Sequence, residues 1–230
     1  MKASPVTYGL LGMLAVRSWT GYELTGQVRR SLRFTWSSSE GHLYREQKRL
    51  VTLGWATVEA ESAGARSRKR YSITPAGEAA LRDWLQTEPQ EPHFEIEGFM
   101  RLFFADSGTT DDIVLNLEST AASARSMLGE LLEFVDEYLA DGGPLWMLEH
   151  EVGGPDDERL EFRDRPMFPE RLHVVALVLD VTTLLLAEIE RFCTRTAIEV
   201  RAWRTPIDDQ LTASTRARLE SVRDRCHRSR

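Results

Sequence analysis

A mainly helical fold carrying a small β-wing is predicted by three observations. Between Ser37 and Gly77 the chain runs through an amphipathic helix, a glycine turn, two short strand-like runs around a basic loop, and a helix restart at Thr74-Pro75. Beyond residue 93, apolar residues recur at spacings of three and four over long stretches, which is the period of helices. Between these parts lies Glu88-Pro89-Gln90-Glu91-Pro92, polar and punctuated by proline, the mark of a linker. Helix, hairpin, basic tip and helix is the order of a winged helix-turn-helix. The expected layout is a winged helix-turn-helix over 1–88, a helical domain over 93–204, and a weakly helical tail over 205–230.

Residues 5–16 read as a buried helix despite two glycines. Thr20 is expected to cap a short second helix reaching about Ser31, its hydroxyl accepting a first-turn N–H. Phe34 to Ser38 reads as a turn. Ser38 or Ser39 caps a third helix that ends near Gly54, where a left-handed residue closes the last turn. Trp55–Glu61 and Arg70–Ile73 read as two paired strands around the loop Gly64–Arg70. Pro75 suits the first turn of a fourth helix running to about Gln86.

After the linker, Phe94–Ala105 reads as a short apolar helix. A long helix opens at Thr110-Asp111-Asp112. Its seam of Ile113, Leu117, Ala121, Ala124, Leu128, Leu131, Val135 and Tyr138 is heptad-like, and Gly142-Gly143-Pro144 stops it. Residues 153–166 are charged and read as irregular. A second long helix is expected from about Pro169 to Trp203, apolar nearly all round, for which a partner subunit is the natural cover. Residues 208–226 read as a weak helix.

Composition narrows the function classes. No run of 18 apolar residues is free of charge and no signal-peptide pattern opens the chain, so no membrane association and a cytoplasmic location are expected. Cys193 and Cys226 show no pairing or metal-ligand spacing and read as buried or incidental thiols. The net charge of −7 is unevenly spread. Residues 1–90 hold 13 Lys/Arg against 8 Asp/Glu, whereas residues 91–230 hold 16 against 28. A basic first part can face phosphates while the acidic remainder faces away.

The third helix and the wing carry that basic charge. Arg45, Lys48 and Arg49, with Ser38 and His42, are expected on one broad face, and Leu43 and Leu50 on the opposite, packed face. An α-helix fits the major groove, and a basic hairpin tip reaches the neighbouring minor groove or backbone. The wing adds Arg66, Arg68, Lys69 and Arg70. Tyr44 fits core packing as well as a phosphate contact.

Several strings resemble the PadR family of bacterial transcription regulators: Gly9-Leu10-Leu11-Gly12-Met13-Leu14, Gly21-Tyr22-Glu23-Leu24, Gly41-His42-Leu43-Tyr44-Arg45, Lys48-Arg49-Leu50, Gly54 and Arg68-Lys69-Arg70-Tyr71-Ser72-Ile73-Thr74-Pro75-Ala76-Gly77. Phe99-Met100-Arg101-Leu102-Phe103-Phe104-Ala105 resembles the start of the family's C-terminal domain. The resemblance implies a homodimer on double-stranded DNA with two half-sites, most simply a repressor, and gives the helical domain over 93–204 a dimerisation and effector role. It implies DNA contacts by Ser38, Ser39, His42, Tyr44, Arg45, Lys48, Arg49, Arg66, Arg68 and Lys69. Two residues depart from it. Glu46 and Gln47 stand where the family usually has Ala and Leu. Gln47 then needs a buried partner or a shifted helix, and Glu46 either weakens phosphate binding or selects a base.

Relatives that respond to aromatic or lipophilic molecules bind them near the dimer interface. By that resemblance a small effector is expected between subunits near Trp146, Phe103 and Phe99, although packing is the commoner use of such residues. Glu149-His150-Glu151 lacks the second His of a metal helix and reads as a surface turn. No metal site, cofactor or catalytic constellation is expected, and the chain does not read as an enzyme. A protein-interaction adaptor and a constitutive regulator without an effector are the alternatives.

Overall fold

The first helix begins with a reciprocal cap. The Ser4 hydroxyl accepts from the Thr7 N–H and the Thr7 hydroxyl accepts from the Ser4 N–H, which satisfies two donors a helix start leaves over. Helix α1 (Pro5–Val16) follows and buries Leu10, Leu11 and Leu14. In this computed structural model the described residues are 3–34, 36, 38–63, 66–152, 161–162, 165–207 and 212–228; for 61–63, 66–67, 161–162 and 165–166 the backbone alone is described.

Strand β1 (Trp19–Thr20) leads directly into α2 (Gly21–Ser31), where Thr20 and Glu23 repeat the reciprocal cap. Ser39 caps α3 (Glu40–Thr52), accepting from the His42 N–H. Gly54 adopts φ +71°, the left-handed conformation that favours glycine, and turns the chain into the wing. Strands β2 (Ala56–Ala63) and β3 (Arg66–Ile73) pair antiparallel from Ala56↔Ile73 to Ala63↔Arg66. Helix α4 (Pro75–Leu85) is capped by Thr74, whose hydroxyl accepts from Gly77 N–H and donates to Gly54 O at 2.6 Å.

The wing corrects the expectation in two ways. The sheet has three strands in the order β1-β3-β2, because Trp19 and Thr20 pair with Tyr71 and Arg70. The second wing strand also begins at Arg66 rather than Arg70, so Arg68 and Lys69 are strand residues. Around this sheet Leu24, Val28, Leu43, Leu50, Ala56 and Tyr71 complete the core begun by α1. Trp19 joins it, its indole N–H donating to Met13 O at 2.9 Å.

The chain separates into two units, Met1–Pro92 and His93–Arg230. In the second, α5 (Glu97–Phe103) is shorter than the Phe94–Ala105 span expected, and a 3-10 turn, Ala105–Ser107, follows it. Helix α6 (Thr110–Leu139) starts from a third reciprocal cap, Thr109 with Asp112. After Gly142-Gly143, a helix absent from the sequence expectation forms, α7 (Pro144–Glu149). Within 153–166, β4 (Glu161–Phe162) and β5 (Arg165–Pro166) pair, where an irregular segment was expected; residues 153–160 and 163–164 lie outside the described ones. Helix α8 (Leu172–Val200) follows a 3-10 turn, Pro169–Arg171, and α9 (Thr212–Arg228) ends the described chain.

Helices α6 and α8 run antiparallel, since Glu118 pairs with Arg201 and Arg125 with Glu190. Ile113, Val114, Leu117 and Ala121 of α6 meet Cys193, Ala197 and Val200 of α8 in a buried cluster. In the other half of α8 only Thr182 and Leu186 are buried. Val174, Leu177, Val178, Val181, Leu184 and Leu185 fall at spacings of three and four on one stripe, and all are exposed. By length and composition alone Pro169–Val200 is apolar enough to cross a membrane, and only 11% of its most apolar window is buried. The second thiol, Cys226 on α9, is exposed.

Candidate nucleic-acid interface

Helix α3 sorts its residues by period. Leu43, Glu46, Gln47 and Leu50, at spacings of three, one and three, point inward and are buried. Gly41, Tyr44, Arg45 and Lys48 point outward. His42 and Arg49, seven apart, lie on the margin between the two faces. Arg45 Nη2 lies 3.5 Å from His42 Nδ1.

This arrangement narrows the expected set. Tyr44, Arg45 and Lys48 form the outward stripe, with Ser39 and His42 at its N-terminal end. The Ser39 hydroxyl is engaged as the helix cap. The Ser38 hydroxyl is enclosed and has no hydrogen-bond partner among the described residues, so it faces protein rather than the outward stripe. Arg49 is turned inward, its Nη1 3.4 Å from Glu46 Oε1. Glu46 itself is 6% exposed and does not reach the outward face. Neither role expected of Glu46, weakening phosphate binding or selecting a base, fits a carboxylate held there. Gln47 has the buried partners its position required, donating to Gly21 O at 3.0 Å and to Thr25 Oγ1 at 2.9 Å.

The wing places charge by register. Glu59 stands opposite Arg70 and Glu61 opposite Arg68, whereas Lys69 stands opposite Ala60. Facing residues of an antiparallel pair share one side of the ladder. Arg68 and Arg70 therefore sit on the acid-balanced side, and Lys69 on the other. Arg70 also donates to Ser18 O at 3.1 Å. Arg68 and Lys69 are exposed, and the side chain of Arg66 lies outside the described residues. On α2, Glu40's partner Arg29 lies 3.5 Å away. Among the described residues Arg45, Lys48 and Lys69 have no carboxylate partner. They are the cations best placed to meet phosphate oxygens or base edges.

Two titrating groups report the packing beneath. Burial pushes Glu23 up, but the Thr20 N–H and hydroxyl, with Arg70 and Arg17, outweigh it and hold the carboxyl below its ordinary value. Burial pushes Tyr71 up, assisted by Tyr44.

The three aromatic residues expected at an effector site are not together in one chain. Phe99 packs edge-on to Phe192 with centroids 6.2 Å apart, and Phe103, largely exposed, packs edge-on to Phe104 at 5.1 Å. Both belong to α5, which is tied to the first half of α6 by Asn116 donating to Gly98 O at 2.8 Å. Trp146 stacks on His150 at 4.2 Å in α7, which follows the far end of α6. At 1.5 Å of rise per residue, Asn116 and Leu139 are about 35 Å apart along that helix. Among the described residues no three His, Cys, Asp or Glu side chains converge as a metal site.

A capped helix with an outward cationic stripe, packed on two others and followed by a charged hairpin, defines a winged helix-turn-helix protein. The model of the transcriptional regulator PadR-like family matches residues 10–83. The negative transcriptional regulator PadR of Bacillus subtilis (strain 168) is 30% identical over 140 residues, which cover 60% of this chain and 77% of that protein. The crystal structure of Bacillus subtilis PadR in complex with operator DNA superposes with a TM-score of 0.64 at 18% identity, covering 86% of this chain and 99% of the other. The structure of the same protein in complex with p-coumaric acid gives a TM-score of 0.60 at 19% identity, covering 85% and 98%. The chain belongs to the PadR-like family of transcriptional regulators.

Proposed function

We propose that the chain is a sequence-specific DNA-binding repressor that acts as a homodimer on an operator of two half-sites. The observation that carries this reading is the outward stripe of Tyr44, Arg45 and Lys48 on a helix whose opposite face is buried. Such a helix enters a major groove with its cations toward phosphates and base edges. Lys69 on the wing extends the basic surface. The DNA contacts are Ser39, His42, Tyr44, Arg45, Lys48, Arg68 and Lys69, with Arg66 continuing the wing and Arg49 and Ser38 supporting from behind. The operator complex of the Bacillus subtilis relative supports the same partner.

The exposed stripe of α8 supports dimerisation through the helical unit, because six apolar side chains on one face need cover. Two linked winged helices then meet half-sites one helical turn, or a multiple, apart. An aromatic or lipophilic effector bound between subunits, against Phe99 and Phe103 of one and Trp146 of the other, would shift that separation and release DNA. The p-coumaric acid complex of the relative supports that ligand class. A cytoplasmic location is part of this proposal, and a DNA partner supports it.

Fluorescence anisotropy on the gene's own upstream DNA and on a scrambled duplex, across a salt series, tests this reading. Specific, salt-sensitive binding is expected. Arg45→Ala and Lys48→Ala should each weaken it and lower the salt slope by about one unit. Unchanged binding in both variants would remove α3 from the interface.

A further inference from the structure

Two of the four residues that α3 turns inward are polar, and they fasten it to different helices. Glu46 Oε2 accepts a hydrogen bond from the Thr7 hydroxyl on α1. Thr7 is fully buried and belongs to the reciprocal cap with Ser4, so this acceptor meets a donor already fixed in place. Gln47, 1% exposed, fastens the same helix to α2 through Gly21 O and Thr25 Oγ1. Thr25 is itself held by its hydroxyl donating to Gly21 O at 2.9 Å. The space is tight: a Cβ on Gly21 would lie 2.9 Å from Gln47 Oε1 and 3.3 Å from the Tyr71 ring.

Apolar packing and hydrogen bonding constrain a helix differently. Burial of Leu43 and Leu50 is rewarded by area and has no direction. A hydrogen bond fails within tens of degrees and a few tenths of an ångström. Rotating a helix by about 20° moves a side-chain tip about 5 Å from the axis by about 2 Å. Leucines can absorb part of such a shift, but bonds to two separate helices cannot.

We propose that Glu46 and Gln47 are positioning residues that set the rotation of α3 about its own axis, and so determine which base edges Tyr44, Arg45 and Lys48 reach. The proposal rests on the DNA-binding reading above. It gives the two departures from the family pattern one shared role, exercised from the buried side of the helix. Arg49, bonded to Glu46 Oε1, braces the carboxylate from the margin.

The test is selection from a pool of randomised duplexes, followed by anisotropy on the selected sequence and on a scrambled one. In T7V/E46L both ends of one bond become apolar together, but the Ser4 N–H loses its acceptor in the α1 cap and Arg49 loses its carboxylate. A lower melting temperature, followed by circular dichroism, is therefore expected. Q47L removes the second fastening with little change of volume, and decides the case alone if the double variant does not fold.

Both variants should keep their affinity for scrambled duplex within about twofold, since phosphate contacts dominate there. On the sequence selected by the wild type they should lose about tenfold, the discrimination one good base contact carries. E46Q retains an oxygen for the Thr7 hydroxyl and should keep the wild-type preference. Folded variants with wild-type discrimination overturn the proposal. So does an equal loss on both duplexes, which marks a purely structural role. A wild type that binds no duplex overturns the DNA reading and this proposal together.

Discussion

The two units of this chain treat their helices in opposite ways. In the first, every inward position of α3 is covered, and even its polar members have bonding partners. In the second, α8 covers one end against α6 and leaves Leu177 at 70% and Leu184 at 60% exposed. The first unit closes on itself because short helices and a three-stranded sheet surround a small core. The second consists mainly of two long antiparallel helices, which between them can bury only the seam where they meet. The contrast teaches where the energy of the proposed dimer would come from: the unit with the basic stripe exposes fewer large apolar side chains than the acidic unit does.

The largest test of that contrast charges the bare stripe. Leu177→Glu with Leu184→Glu should convert a dimer to a monomer in sedimentation, with helix content retained. Operator affinity should then fall by about a hundredfold or more, because two linked half-site contacts become independent. A monomeric variant that binds as tightly as the wild type would break the division of labour between the units.

A steric test probes the closed unit. A Cβ on Gly77 would lie 2.2 Å from the backbone oxygen of Trp55, which no rotamer can relieve. Gly77→Ala should destabilise the first unit by about 1–3 kcal/mol, the usual range for overpacking, measured by urea unfolding. Full stability would mean that α4 is less closely seated on the turn before β2 than described.

The smallest effect concerns the wing. Glu59 faces Arg70 and restrains the basic charge of one side of the hairpin. Glu59→Gln should raise affinity for operator and scrambled duplex alike by about twofold to fivefold and steepen the salt dependence. Weaker binding would instead show that the pair serves mainly to hold the strands together, a contribution of about 0.2–1 kcal/mol.

Local chemistry made much of this legible in the sequence. Thr20, Ser39 and Thr74 cap the helices they precede, and Gly54 takes the left-handed turn. The seam of α6 is largely buried, from Ile113 to Leu131. What was hidden depends on distance along the chain. Two residues, Trp19 and Thr20, are too few to show a strand period, and only Tyr71 and Arg70, some fifty positions away, make them one. Arg66 to Lys69 lack apolar alternation, so the first half of the wing's second strand read as part of the loop and only Arg70–Ile73 as strand. Glu46 read as a surface charge because Thr7, its partner, lies 39 residues earlier. In the candidate site, the outward positions of Arg45 and Lys48 followed from helical period alone, whereas the inward turn of Arg49 followed from a carboxylate whose burial no spacing revealed.

The two thiols carry a practical consequence. Cys193 is fully enclosed between α6 and α8, and burial, with Glu190 nearby, pushes its pKa up. Cys226 stands exposed near the end of α9. Alkylation proceeds through an accessible thiolate. A maleimide fluorophore at neutral pH therefore has a single address on the native chain, and the unmutated protein supplies its own spectroscopic handle on α9.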